Sequence, residues 1–320
     1  MARQSQYWLW LAFLLKLGFS AAAPANAEEA SLIARNVPVG DRELYLVCAG
    51  STRPGEPSVI LISGYRDSSD PWTESDALSL LPEASGPPVL QGLARDHLVC
   101  AYDRPGTLRY VTGLPLTARS TPVAQPRTVR ELAAELHALL MAAPVPRPYV
   151  LVSHSLGGLI GLAFALTYPA DVRGLVFVDS FSPNVRDRLG GLWPLYRGVL
   201  NPPADEQTIV SLRSAASERV DIDASFDQVL SSPLLSPMPV AVLTKTEPFR
   251  IAPSSLPAGI TLSDIDRAYE SAQDYFVALS PTTPHVMATG SEHYIQLSQP
   301  DLVIKATELV ISRVLDESRR

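Results

Sequence analysis

Residues Val150–Pro169 read VLVSHSLGGLIGLAFALTYP, and the fold turns on how this stretch is read. Three apolar residues run into Ser153-His154-Ser155-Leu156-Gly157-Gly158, and an apolar pattern at helical spacing follows at once. A chain that passes from strand to helix within so few residues must make a sharp, strained turn, and Ser155 stands at its corner. Small neighbours at Ser153 and Gly157 let strand and helix approach each other, and the new helix points its positive end at the serine. Such a corner presents a hydroxyl as a nucleophile. The competing reading is an ordinary tight turn into a buried helix.

Outward from this corner, short apolar runs alternate with helical periodicity. Leu44–Cys48, Val59–Ser63, Leu98–Tyr102, Tyr149–Val152, Leu175–Val178, Val240–Leu243 and His285–Ala288 read as strands. Several are rich in Val, Ile and Leu without alternation, as strands covered on both faces are. Thr128-Val129-Arg130-Glu131 fits a capping box, and Leu132, Leu136, Leu139 and Leu140 recur behind it until Pro144 and Pro146 stop the helix. This alternation predicts a mostly parallel α/β sheet. Gly113–Arg127 reads as a surface loop. Phe181–Pro237 holds six prolines together with Trp193 and Tyr196, and is too long for a simple connection. It is expected to be a cap, about residues 181–237, inserted over the carboxyl ends of the strands.

Composition narrows the function. The chain has 320 residues, 46% hydrophobic and 18% charged, enough for a large core. A net charge of −7 with no basic run argues against nucleic-acid binding. Arg3, the apolar run YWLWLAFLLKLGF and Ala25-Asn26-Ala27 predict a cleaved signal peptide over residues 1–27. The alternative is a disordered tail. Cleavage would move the net charge from −7 to −9 by removing Arg3 and Lys16. The mature chain, 28–320, would be secreted or periplasmic and without a membrane span, since no other stretch nears ~20 continuous apolar residues. No C-x-x-C or H-E-x-x-H motif is present, so neither a metal nor a cofactor is expected.

Taken together, these segments resemble the α/β-hydrolase fold over nearly the whole mature length. VILISGY resembles the family's strand and oxyanion turn, VCAYDRPG its next strand and loop, and VLVSHSLGG its nucleophile elbow. GLVFVDS resembles a later strand, and SEHYIQLSQPDLVIKA the histidine loop and final helix. The resemblance implies an eight-stranded, mostly parallel sheet with helices on both faces. It also implies a serine hydrolase whose nucleophile, acid and histidine follow in that order along the chain.

Ser155 is then the nucleophile and His293 the base. Among the five histidines, His97 lies at a strand entrance, His137 on a helix, and His154 inside the elbow facing away from the chemistry of Ser155. His285 is the main rival, but Pro284 places it at the start of its strand, the wrong end. The acid is Asp179, which ends LVFVD, or Glu247, which follows VAVLTKT; Asp179 has the better setting. The resemblance gives the oxyanion hole as the backbone N–H groups of Leu156 and Tyr65. The usual His-Gly of that turn is here Ser63-Gly64, which puts the bracing of the loop in question. Asp103-Arg104 reads as a structural brace.

In the implied fold the second strand lies antiparallel beside the fourth, so Cys48 and Cys100 would face each other, as a disulfide or as two buried thiols. The expected reaction is cleavage of a carboxylic ester through an acyl-enzyme. Amide, lactone or peptide hydrolysis, cofactor-free non-hydrolytic chemistry and a non-catalytic binding protein are the alternatives. Leu192, Trp193, Leu195, Tyr196 and Phe226 suggest a small-molecule substrate with an apolar acyl or alcohol part, although cap packing alone would use the same residues.

Overall fold

The computed structural model describes residues 32–74, 84–251 and 253–319. The signal peptide expected over residues 1–27 lies outside the described residues. Eight strands form one sheet in the order β1-β2-β4-β3-β5-β6-β7-β8. They are β1 (Ile33–Val39), β2 (Arg42–Ala49), β3 (Ser58–Ile62), β4 (Val99–Tyr102), β5 (Tyr149–His154), β6 (Val172–Val178), β7 (Val240–Lys245) and β8 (His285–Ala288). β2 runs antiparallel to β1 and β4, and the remaining neighbours are parallel. This is the α/β-hydrolase arrangement that the sequence implied.

Burial explains why the central strands were readable. Every residue of β3, β4, β5 and β7 is buried. Alternate residues feed two separate cores. Ile60, Ile62, Tyr149 and Leu151 pack on one side with the helices Val129–Ala142 and Leu156–Thr167. Val59, Leu61, Val150 and Val152 pack on the other with Pro300–Ser318 and Val89–Leu93. A strand covered on both faces has no polar side to show, so its sequence is a continuous apolar run.

The capping box at Thr128 is present, with Thr128 and Glu131 bonding reciprocally. Between β6 and β7 the chain forms the helices Val185–Leu189, Trp193–Leu200 and Ile222–Leu230. A second excursion, between β7 and β8, carries the helix Leu262–Ser271. The strand reading missed β1, whose residues are mostly exposed because it is the sheet's edge. Among the described residues no helix is long and apolar enough to cross a membrane.

Candidate active site

Parallel strands bring their carboxyl ends to one edge, and that edge is where α/β sheets place their chemistry. Here the chain leaves β3 at Ser63-Gly64-Tyr65, β5 at Ser155, β6 at Asp179 and β8 at the loop holding His293. These turns converge on a cavity of about 200 Å³ bordered by Tyr65, Ser155, Leu156, Tyr269 and His293.

Ser155 adopts φ 52° and ψ −124°, a conformation that costs a residue with a side chain on the order of 1–3 kcal/mol. Asp179 (φ 39°) and Arg66 (φ 65°) also take positive φ, and each stands beside residues that border the cavity, Asp179 against His293 and Arg66 between Tyr65 and Asp67. The surrounding structure holds the corner in place. Gly158 and Phe181 both donate their N–H to the Ser155 carbonyl, at 2.9 and 2.7 Å.

His293 Nδ1 lies 2.6 Å from Asp179 Oδ2, and the Lys245 N–H donates to Asp179 Oδ1 at 3.1 Å. Asp179 is fully buried, whereas Glu247 is exposed and, among the described residues, bonds to its own strand end and the loop facing it. The structure therefore brings Asp179, not Glu247, to His293. With Nδ1–H donating to the carboxylate, the His293 Nε2 lone pair is left to accept a proton. Ser155 and His293 border the same cavity without a hydrogen bond between them; such contacts commonly tighten once substrate is bound. The rival, His285, is exposed at the opposite end of β8, where it bonds Thr244 at 2.8 Å.

The N–H groups of Tyr65 and Leu156 have no backbone partner among the described residues; Tyr65 lies in the turn after β3, and Leu156 opens a helix, whose first donors are left free. Arg104 supplies the bracing that the missing histidine left in question. Its guanidinium donates to the carbonyls of Ser63 (3.0 Å) and Gly64, and pairs with Glu218 at 2.5 Å with both side chains fully buried. Glu218 in turn accepts from the Arg66 N–H at 2.7 Å. Asp103 braces the neighbouring turn by accepting from the Ser69 N–H at 2.8 Å.

A family model described as the alpha/beta hydrolase family matches residues 59–306. The chain belongs to the α/β-hydrolase family. It is 34% identical over 125 residues to RutD of Escherichia coli O1:K1, described as a candidate carbamate hydrolase. That match spans 39% of this chain and 38% of the relative's length. Among solved structures, one described as a candidate lipase from Acinetobacter baumannii aligns with TM-score 0.57 at 17% identity, covering 90% of this chain and 93% of the other. A haloalkane dehalogenase from Agrobacterium tumefaciens aligns with TM-score 0.55 at 18% identity, covering 91% and 100%. Neighbours with such different chemistry support the hydrolase fold and leave the bond cleaved to the site itself.

His154 and four residues of the insert depart from the sequence reading. His154 does not turn away from the site: its ring packs 4.5 Å from that of His293, and its Nε2 bonds the His293 carbonyl at 3.0 Å. Of the five insert residues expected around the substrate, only Tyr196 borders the cavity. Trp193 and Phe226 instead pack the insert onto the core, because large flat side chains there bury more surface than a small cavity could offer.

The rest of the apolar wall comes from Phe181, Leu200, Ile222, Phe249 and Ile251. Phe249, Ile251 and Tyr269 belong to the excursion between β7 and β8, which the sequence reading passed over. Its one visible signal was the capping box of Thr261 and Asp264. Tyr269 donates its hydroxyl to the Asp179 carbonyl at 2.9 Å, and burial, then the charge of Asp179, pushes that phenol well above its ordinary value. Among the described residues no three His, Cys, Asp or Glu side chains gather as a metal ion would require.

Proposed function

We propose that this α/β hydrolase is an exported serine hydrolase that cleaves a carboxylic ester through an acyl-enzyme, with Ser155, His293 and Asp179 as its triad. The observation that carries the reading is the 2.6 Å contact of His293 with buried Asp179, in the same cavity as a serine held at a strained corner. His293 Nε2 removes the Ser155 proton as Oγ attacks the ester carbonyl. The Tyr65 and Leu156 N–H groups receive the oxyanion, and Asp179 stabilises the imidazolium. Collapse expels the alkoxide, which takes the proton from His293 and leaves as the alcohol. Water, deprotonated by the same imidazole, then attacks the acyl-serine and releases the acid.

Phe181, Leu200, Ile222 and Ile251 favour a small substrate with an apolar acyl or alcohol part, beneath the segment 181–237 acting as a cap. Export is supported by the Cys48–Cys100 disulfide, since such bonds persist in oxidising compartments. N-terminal sequencing of the protein from its native host should find Glu28 first; an intact Met1 in the soluble fraction contradicts export.

A second reading, carbamate cleavage by the same triad, draws on the partial likeness to RutD. A fluorophosphonate probe followed by a library of esters, carbamates, amides and lactones separates these readings. Ser155 should be labelled, with esters turned over fastest. Ser155→Ala or His293→Ala should each lower kcat by roughly 10³-fold or more, with the double variant little worse, because such residues act as a unit. An unlabelled wild type would point to a binding protein.

A further inference from the structure

Behind the cavity lies a second carboxyl–imidazole pair that this reaction cycle does not use. Asp67 borders the cavity, yet both its oxygens face protein: the Tyr294 hydroxyl donates to Oδ1 at 3.3 Å, and Oδ2 faces His154 Nδ1 at 3.9 Å. The two groups meet beneath Gly64. A Cβ added there would lie 2.8 Å from Asp67 Oδ2, 2.9 Å from His154 Nδ1 and 3.0 Å from Ser155 Cβ. His154 donates from Nε2 to the His293 carbonyl at 3.0 Å, so its Nδ1 is a lone pair. That nitrogen is buried and has no hydrogen-bond partner among the described residues, although such groups are nearly always satisfied.

We propose that Asp67 and His154 are positioning residues: the protonated carboxyl of Asp67 swings onto His154 Nδ1, and the chain from Asp67 through His154 to the His293 carbonyl ties the oxyanion turn to the loop carrying the base. This rests on Ser155 and His293 being the reacting pair.

The surroundings of Asp67 and His154 disfavour the charged form of both partners. Burial is the largest influence on Asp67 and pushes its carboxyl up to about 7, against the opposing pull of Arg104 and the Tyr294 hydrogen bond, with Glu218 adding to the rise. Burial, then His293, holds the His154 imidazole well below its ordinary value. The charged and titratable groups around Asp67 are therefore Arg104 from the turn after β4 and Glu218 from the insert. His154 faces it from β5, and Tyr294, backed by Tyr110, from the His293 loop. A neutral acid facing a neutral lone pair makes a hydrogen bond. An ionised Asp67 repels that lone pair unless the His154 proton moves to Nδ1, and then the His293 carbonyl loses its donor. Either way the tie between the two loops is lost as pH rises through the Asp67 titration.

The test is a kcat profile of the full-length protein on an ester it hydrolyses, from about pH 5.5 to about 9. Wild type should show a falling limb with its midpoint near 7, where Asp67 ionises. Asp67→Asn, whose amide donates to Nδ1 at every pH, should lack that limb and stay within about threefold of wild type on its acid side. Asp67→Leu, with no donor, should lose roughly 10- to 100-fold in kcat throughout, with KM changed by less than about threefold. An Asp67→Asn profile that keeps the wild-type limb overturns the proposal, as does an Asp67→Leu enzyme equal to wild type. If Asp67→Leu shows no folded thermal transition, the Asn comparison decides alone. Fluorophosphonate labelling separates the two levels. An unlabelled, inactive wild type overturns the hydrolase reading and this pairing together, whereas a labelled, active wild type whose limb survives in Asp67→Asn overturns the pairing only.

Discussion

A guanidinium without solvent contact has to be neutralised where it lies, and Glu218 does this for Arg104 at 2.5 Å. The pair links the insert between β6 and β7 to the Ser63–Tyr65 turn, whose Tyr65 borders the cavity. Glu218→Ala should therefore cost about 3–5 kcal/mol by leaving Arg104 buried and unpaired. A urea transition within experimental error of wild type would refute that. At His293 the partner can be tested in the same spirit. Asp179→Asn should reduce kcat by roughly 10³-fold or more, since it removes the acceptor that sets the imidazole tautomer, while Glu247→Gln stays near wild type. A dead Glu247→Gln in a folded protein would reassign the acid. Ser155 and His293 were legible because each sits in a recognisable local pattern. The sequence favoured Asp179 but kept Glu247 open, because both follow parallel strands that end at the same edge. Glu218 gave no signal at all: it is 114 residues from Arg104, and nothing local marks a buried acid.

The elbow is an element in which strand, turn and helix are set by close approach. A Cβ on Gly157 would lie 2.3 Å from the Ile62 carbonyl oxygen and 2.9 Å from that of Ser63, the backbone that leads into the Ser63–Tyr65 turn. Backbone cannot rotate aside as a side chain can, so Gly157→Ala should destabilise by about 1–3 kcal/mol and lower kcat as well. Gly191, with nothing within 4 Å of its added Cβ, is the control, and Gly191→Ala should fall within about 0.5 kcal/mol of wild type. Equal urea midpoints for the two variants would show that the elbow tolerates the methyl. The same packing made this element readable, since small residues at Ser153 and Gly157 announce it. β1 lacked any such mark. Its burial pattern is almost wholly exposed, and a strand with one paired edge needs no apolar run. Strand ends were trimmed for a related reason: β6 starts at Val172, where Arg173 is exposed and breaks the run.

Across the whole molecule, the sheet is joined to its own edge at one covalent point. β2 runs against its neighbours, and the register sets Cys48 directly opposite Cys100 on β4. The disulfide between them spans a sequence separation of 52 and ties the β1–β2 hairpin to the parallel strands that carry the site. The sequence left this pairing open between a bridge and two thiols, because strand adjacency brings the side chains face to face without deciding the redox state. A bridge restricts the unfolded chain more than the folded one, so Cys48→Ala with Cys100→Ala should cost about 2–4 kcal/mol. Catalysis should survive wherever the variant is folded. The residues bordering the cavity come from the ends of β3, β5, β6 and β8 and from the excursions, not from β2. The combination is diagnostic: a lower urea midpoint with kcat within about twofold of wild type at a temperature where both are folded. Non-reduced protein from an oxidising compartment, alkylated under denaturing conditions, should carry no label on Cys48 or Cys100. Two labelled thiols per chain would mean that the hairpin is held by pairing and packing alone, and would remove the disulfide as support for export.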